Sequence, residues 1–126
     1  MTVRYEELTE GIIGCAYRVY NHMGFGFMES VYKKCLLIEL GKEGIRVEPE
    51  KQITVCYGNE VVGEFKADIL VEDSIIVELK SVRRIARAHE VQLVNYLVAT
   101  GKPVGLILNF GETKVEVKRK VKDLNY

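Results

Sequence analysis

The feature that most constrains this chain is a pair of short apolar runs, each carrying a carboxylate and separated by three polar residues. The first run, the break and the second run occupy residues 65–71, 72–74 and 75–80. Runs rich in β-branched residues and bounded by turn residues predict two antiparallel strands. Because side chains alternate faces along a strand, Glu78 and Lys80 share one face, and Leu79 points to the other.

The length of the break sets which residues face each other. A three-residue loop places Asp68 directly opposite Glu78, and Lys66 opposite Lys80. Opposed side chains in an antiparallel pair have Cβ atoms about 4.5–5.5 Å apart. Two carboxylates at that distance repel unless a positive charge or a proton lies between them. A divalent cation with oxygen ligands would meet this need, and so would protonation of one carboxylate.

The same register predicts the buried face of the hairpin. A two-residue turn would move Asp68 opposite Val77, among core side chains, so the three-residue loop is favoured. The reverse face is then almost wholly apolar and is expected to be buried, with Phe65, Ala67, Ile69 and Val71 against Ile75, Val77, Leu79 and Ser81. Solvated surface charges are the ordinary explanation for such acids, but these apolar runs are typical of central strands.

Composition limits the broad class of protein. A chain of 126 residues, 48% of them hydrophobic, predicts one ordered domain spanning residues 1–126. The formal net charge of zero argues against strong non-specific nucleic-acid binding, but not against a local basic rim. Cys15, Cys35 and Cys56 form neither a disulfide framework nor a zinc motif. With no apparent signal peptide or membrane span, a cytoplasmic protein with reduced thiols is expected.

Periodicity and turn residues predict the order of the elements. A stripe at Leu8, Ile12, Cys15, Val19 and Met23 predicts a first helix, and Gly58-Asn59 predicts a tight hairpin. The order is helix, helix, three antiparallel strands, helix and two strands, which is an α/β sandwich with a mixed sheet. The approximate ranges are 5–23, 29–41 or 44, 47–57, 61–71, 75–81, 88–100, 104–108 and 114–120.

Four motifs in this order resemble those of a known family. An Asp followed by Glu-x-Lys on a three-strand meander between helices resembles the PD-(D/E)XK nuclease superfamily, although Ala67 stands where the motif has Pro. Gly26-Phe27-Met28-Glu29-Ser30-Val31-Tyr32, residues 89–97 and residues 105–111 look like the small prokaryotic GxxExxY protein family, a branch of it. The resemblance implies a restriction-endonuclease-like α/β/α core.

The resemblance also implies a chemistry. Asp68 and Glu78 would bind Mg²⁺, or Mn²⁺, with the Leu79 backbone carbonyl as a further candidate ligand. Lys80 would assist attack by water on a phosphodiester of DNA or RNA, and its alternative role is an ion pair with either acid. Related small nucleases are often dimeric, so a homodimer is a possible assembly.

Two further residues have candidate roles. Glu29 either complements the dipole of the second helix or contacts the metal or its water. Gln92 falls on a helix that reads as apolar nearly all round and therefore buried, where an amide needs partners. The resemblance implies that it holds water or phosphate.

The remaining candidates surround this site. Tyr32 is expected to pack and to hydrogen-bond through its hydroxyl. Arg83, Arg84 and Arg87 follow the strand of Lys80 and either contact phosphates or belong to a solvated loop. The favoured function is a magnesium-dependent nuclease. The alternatives are a non-catalytic module that binds nucleic acid or protein, and a subunit that is active only with a partner.

Overall fold

The computed structural model describes residues 2–122, which form a five-stranded sheet with two helices on one face and a third on the other. The sheet order is β1-β2-β3-β4-β5, and only β3 and β4 run parallel. The predicted α/β class with a mixed sheet is confirmed. The elements are α1 (Thr2–Met23), α2 (Glu29–Lys42), β1 (Val47–Tyr57), β2 (Glu60–Val71), β3 (Ile75–Lys80), α3 (Arg87–Thr100), β4 (Val104–Phe110) and β5 (Val115–Val121).

The parallel pair lies at the centre of the sheet and is covered on both faces. Parallel strands need a crossover connection, and α3 supplies it between β3 and β4. Every residue of β4 is buried, and all of β3 is buried except Lys80, which is partly buried. The strand that carries Glu78 and Lys80 is therefore held rigidly by packing on both of its faces.

The first core lies between α1, α2 and the sheet. The predicted stripe of α1 is confirmed, because Ile12, Cys15 and Val19 are buried and the side chains at its two ends pack against them. The stripe of α2 is likewise buried at Tyr32, Leu36 and Leu40. None of the helices within residues 2–122 is both long and apolar enough to cross a membrane.

The second core lies under α3 and corrects the sequence-based expectation for that helix. Only the face with Leu93, Tyr96 and Leu97 is buried, so the expectation of an all-round buried helix is wrong. Gln92 is exposed, as are three valines of the outer face, Val91, Val94 and Val98. The reason is that α3 packs on the sheet from one side only, and no other element of residues 2–122 covers its outer face.

A glycine sets how closely α3 approaches the sheet. Gly105 of β4 lies under Leu93, and a Cβ at position 105 would stand 2.7 Å from the Leu93 Cδ1 atom. That distance is far inside van der Waals contact, so a side chain there would push the helix outward. A larger residue in a packed core forces strained rotamers or a backbone shift.

We expect Gly105→Ala to lower the free energy of unfolding by about 1–3 kcal/mol, measured by urea denaturation. Gly41→Ala is the matched control, because Gly41 lies in α2 with no atom within 4 Å of an added Cβ. That change should stabilise the protein by up to about 1 kcal/mol through helix propensity. Equal effects of the two changes would contradict the close approach.

Candidate metal centre

The β2–β3 hairpin has the predicted three-residue loop. Its pairs are Val71 with Ile75, Leu70 with Ile76 and Ile69 with Val77, which confirms the predicted register. The Ser74 N–H donates to the Val71 carbonyl at 3.0 Å. Glu72 and Asp73 take left-handed backbone conformations, with φ of 49° and 57°.

The regular pairing stops at the acid pair, where side chains replace the backbone ladder. The Asp68 N–H donates to Glu78 Oε2 at 2.8 Å, and the Leu79 N–H donates to Asp68 Oδ2 at 2.8 Å. Each carboxylate thus takes a donor from the opposite strand. The other oxygen of each, Oδ1 or Oε1, accepts no hydrogen bond within residues 2–122. Two free carboxylate oxygens therefore remain at the point where the strands part.

Asp68 also lies at a change of face in β2. Ala67 packs in the α3 core, whereas Ile69 packs in the α1/α2 core, although strict alternation would place them together. The prediction of one common apolar face is therefore wrong for Phe65 and Ala67. The Phe65 ring faces α3, with its centroid 5.9 Å from that of Tyr96.

The cause of this change is visible in the neighbouring strand. The β1–β2 pairing runs from Pro49 with Ile69 to Lys51 with Ala67, and it skips the position where Glu50 faces Asp68. Glu50 has a φ of 55°, a left-handed conformation that costs a residue with a Cβ about 1–2 kcal/mol. Both strands therefore rotate about this position, with Asp68 at the pivot.

Burial and charge together shift the acid–base behaviour of Glu78. Glu78 is only 7% exposed, and its pKa is raised to about 7, with this burial as the largest cause. The nearby charges of Asp68 and Glu29 also contribute to the rise, while the hydrogen bond from the Asp68 N–H and the charge of Lys80 reduce it. Without a cation, protonation of Glu78 is thus one way in which the predicted repulsion is relieved.

The loop before α2 places Glu29 beside this pair. Gly26 has a φ of 116°, a conformation that side chains rarely adopt. The buried Tyr32 hydroxyl donates to the Gly24 carbonyl and accepts from the Phe27 N–H at 3.2 Å. The Tyr32 ring stacks on Phe110 with centroids 4.3 Å apart. The packing and hydroxyl bonding expected for Tyr32 are confirmed, and they fix the turn into Glu29.

A small cavity of about 220 Å³ opens beside Asp68 and is lined by Glu29, Ser30, Lys33 and Asp68. Sequence reasoning missed Lys33, which forms an ion pair with Glu50. The Glu50 carboxylate raises the pKa of Lys33, and the charges of the two site acids raise it further. The available signal was its position one helical turn after Glu29, because residues four apart share a helix face.

The segment after Lys80 is tied down by a buried amide that sequence reasoning also missed. Asn109 of β4 accepts from the Val82 N–H and donates to the Val82 carbonyl, both at 2.9 Å. The Ser81 hydroxyl donates to the Phe27 carbonyl at 2.8 Å. An Asn inside the apolar run of residues 104–110 was the signal, because a buried amide needs partners.

The structure does not gather the remaining candidates around the acid pair. Gln92 lies in an open groove of about 780 Å³ between α3 and β1–β2, whose lining does not include Asp68 or Glu78. Tyr96 also lines this groove, and burial, followed by the charges of Glu78 and Asp68, raises the pKa of its hydroxyl.

The three arginines lie on the loop and helix after β3. Arg83 is exposed and lies 3.5 Å from the Glu112 carboxylate. Arg84 is exposed on the same loop, and Arg87 begins α3. The predicted phosphate contacts of these residues stay predictions, since their side chains point to no common partner within residues 2–122.

The acid pair fits a hard divalent cation such as Mg²⁺. It offers two free carboxylate oxygens in a partly buried position, and a cation there would relieve the repulsion that raises the pKa of Glu78. Within residues 2–122, no group of three or more His, Cys, Asp or Glu side chains is placed to hold a metal ion. Mg²⁺ usually keeps several waters and takes only one or two protein carboxylates, so a two-acid site suits it.

Comparisons with known proteins agree with this fold. The crystal structure of SSO0001 matches with a TM-score of 0.58 and 19% sequence identity, over 77% of this chain and 52% of that one. The chain thus spans about half the length of that protein, and the likeness concerns the fold alone. None of the curated proteins matches the chain. The family profile of the PD-(D/E)XK nuclease superfamily matches residues 6–120. The chain belongs to the PD-(D/E)XK nuclease superfamily.

Proposed function

We propose that this protein is a Mg²⁺-dependent nuclease that hydrolyses phosphodiester bonds in DNA or RNA. One observation carries the proposal: the Asp68 and Glu78 carboxylates meet where β2 and β3 part, each held by a backbone N–H of the opposite strand. Superfamily membership gives this arrangement its chemical context. We further place the chain in the GxxExxY branch, on the motif from Gly26 to Tyr32.

Each residue of the site has a separate role in the proposed reaction. Asp68 and Glu78 hold Mg²⁺, or Mn²⁺, with the Leu79 carbonyl as a further ligand. When bound, the metal supplies a more acidic water and neutralises charge on the phosphate. Lys80, at the end of the same strand, orients or deprotonates the attacking water or stabilises the developing charge. Glu29, across the cavity, contacts the metal or its water.

The surroundings extend this proposal to the substrate. Arg83, Arg84 and Arg87 would contact phosphates beyond the scissile bond, where each contact adds to the salt dependence of binding. Gln92 would act through substrate or water and not as a metal ligand, because it is exposed in the neighbouring groove. A homodimer would extend the binding surface.

A non-catalytic module that binds nucleic acid or protein is the competing candidate. The zero net charge favours it, because a basic surface would help a nuclease to attract the phosphate backbone. The buried pair of Asp68 and Glu78 argues against a non-catalytic module. Two carboxylates with free oxygens beside a lysine raise the energy of the fold, and a purely structural domain has no use for them.

The first prediction from the proposed function concerns the two acids. Asp68→Asn and Glu78→Gln should each lower Mg²⁺-dependent cleavage of oligonucleotides about 100-fold or more, because changes outside the ligand shell alone typically cost about 10- to 100-fold. Both amides keep an oxygen that can accept the existing backbone hydrogen bond, so the fold should persist. Calorimetric titration with Mg²⁺ should show that binding is lost in both variants.

Asp73→Asn is the matched control for the acids. Asp73 lies in the loop of the same hairpin, is exposed and pairs with Lys102 at 3.0 Å. It should bind Mg²⁺ and cleave as the unmodified protein does. Full cleavage by either Asp68→Asn or Glu78→Gln would remove the site, and absence of Mg²⁺ binding by the unmodified protein would favour the non-catalytic module.

The second prediction separates Lys80 from the metal ligands. Lys80→Gln should slow cleavage by about 10²- to 10⁴-fold, the range typical of general acid–base catalysis, while Mg²⁺ still binds. Lys114→Gln, at an exposed lysine before β5, is the control and should change neither. Loss of Mg²⁺ binding in Lys80→Gln would assign Lys80 a structural role instead.

The third prediction concerns stability without metal. The folded-state pKa of Glu78 is about 7, against an ordinary value of 4.5, so the folded state retains a proton that the unfolded state has released. The free energy of unfolding should therefore fall as pH rises from about 4.5 to about 7, by up to about 3 kcal/mol. Urea denaturation in metal-free buffer measures this change.

Glu78→Gln should remove that pH dependence, because the amide does not titrate. Glu60→Gln, at an exposed acid in the β1–β2 hairpin, should leave it unchanged. A slope between pH 5 and pH 7 that survives in Glu78→Gln would contradict the assignment to Glu78.

A further inference from the structure

We infer that Lys33 is a substrate-binding residue of this site, which contacts the phosphodiester from the α2 side and is held in place by Glu50. The inference rests on the proposed nuclease function and names a contact beyond the acids and Lys80. It follows from the position of Lys33, from its partner and from the charge balance of the site.

The position of Lys33 on α2 makes it part of the cavity lining beside Asp68. It lies on α2 one turn after Glu29, and both line the cavity that Asp68 closes. Its side chain is 22% exposed, so it is neither buried in the core nor free on the surface. Lys34, the next residue, is exposed and outside this cavity. A phosphate that reaches Asp68 through the cavity would meet Lys33.

The partner of Lys33 is difficult to explain by stability alone. Glu50 is about half exposed, and exposed ion pairs contribute little to folding. Glu50 nevertheless takes a left-handed conformation within β1, opposite Asp68, where the ladder is interrupted. Backbone strain that stability does not explain is found preferentially at functional sites. Here it directs a carboxylate at Lys33 and so restrains the lysine beside Asp68.

The charges of the site match a phosphodiester only when a cation is present. The charged groups that influence one another around the acid pair are four carboxylates and three ammonium groups. The carboxylates are those of Glu29, Glu50, Asp68 and Glu78, and the ammonium groups are those of Lys33, Lys66 and Lys80. With all groups ionised, one negative charge remains. One divalent cation would change it to one positive charge, which is the complement of a single phosphodiester. Removing Lys33 would abolish that complementarity.

Cleavage kinetics provide the first test. Lys33→Gln should lower kcat/KM for a labelled oligonucleotide about tenfold or more, mainly through KM, because it removes a charge-assisted hydrogen bond. Lys34→Gln is the matched control and should stay within about twofold of the unmodified protein. Lys33→Arg keeps the charge and should recover part of the loss. Equal kcat/KM for Lys33→Gln and Lys34→Gln would overturn the inference.

Binding without cleavage provides the second test. In the Lys80→Gln background, in which Mg²⁺ still binds and cleavage is slowed, the oligonucleotide is titrated in the presence of Mg²⁺ by fluorescence anisotropy at several salt concentrations. Adding Lys33→Gln should reduce the salt slope of log K by about 0.7–0.9, the amount for one phosphate contact, and adding Lys34→Gln should not.

The two measurements separate this inference from the proposed function. A lower salt slope of log K in Lys33→Gln but not in Lys34→Gln supports the phosphate contact. It does so even if the unmodified protein cleaves nothing, although absence of cleavage would contradict the nuclease activity. Cleavage by the unmodified protein with the same slope in both lysine variants overturns the contact and leaves the nuclease assignment intact. Failure of every variant to bind the oligonucleotide overturns both.

Discussion

Asp68 and Glu78 are two acids on facing strands, and each accepts a hydrogen bond from the backbone of the other's strand. These bonds take the place of the next rungs of the β2–β3 ladder, so the strands can part without leaving the two amide groups unpaired. The opening leaves the second oxygen of each carboxylate without a hydrogen bond from residues 2–122. It also has a cost, since Glu78 is buried beside a second carboxylate and is most stable with a proton or a cation.

On the sheet face covered by α1 and α2, several contacts fix the positions of residues beside this opening. The rotation at Glu50 and Asp68 moves β2 from one core to the other, so the same strand contributes to the packing under α3 and under α2. Tyr32 ties the turn before α2 to the core, and Ser81 ties that turn to the strand of Lys80. Glu29 and Lys33 are thereby presented on one helix face toward Asp68.

On the other side of the sheet, α3 is anchored by Leu93 over Gly105, and it buries only one face. That one-sided packing explains why Gln92 is separated from the acids although it lies on the helix that follows Lys80. Its side chain lines the open groove, and Tyr96 lines the same groove. Under the proposed function, a residue in this groove would act through the substrate and not through the metal.

Local patterns in the sequence determined the order of the elements, the three-residue loop and the opposition of Asp68 to Glu78. Alternation, helical spacing and turn chemistry are short-range properties, and they need no knowledge of the final packing. They failed at four positions. The face change at Asp68 depends on the twist of β1 and β2 together, and the exposure of Gln92 depends on what covers α3. The roles of Asn109 and Lys33 depend on partners 27 and 17 residues away. Only the tertiary structure decided these points, because burial and long-range pairing are set by which elements meet in space.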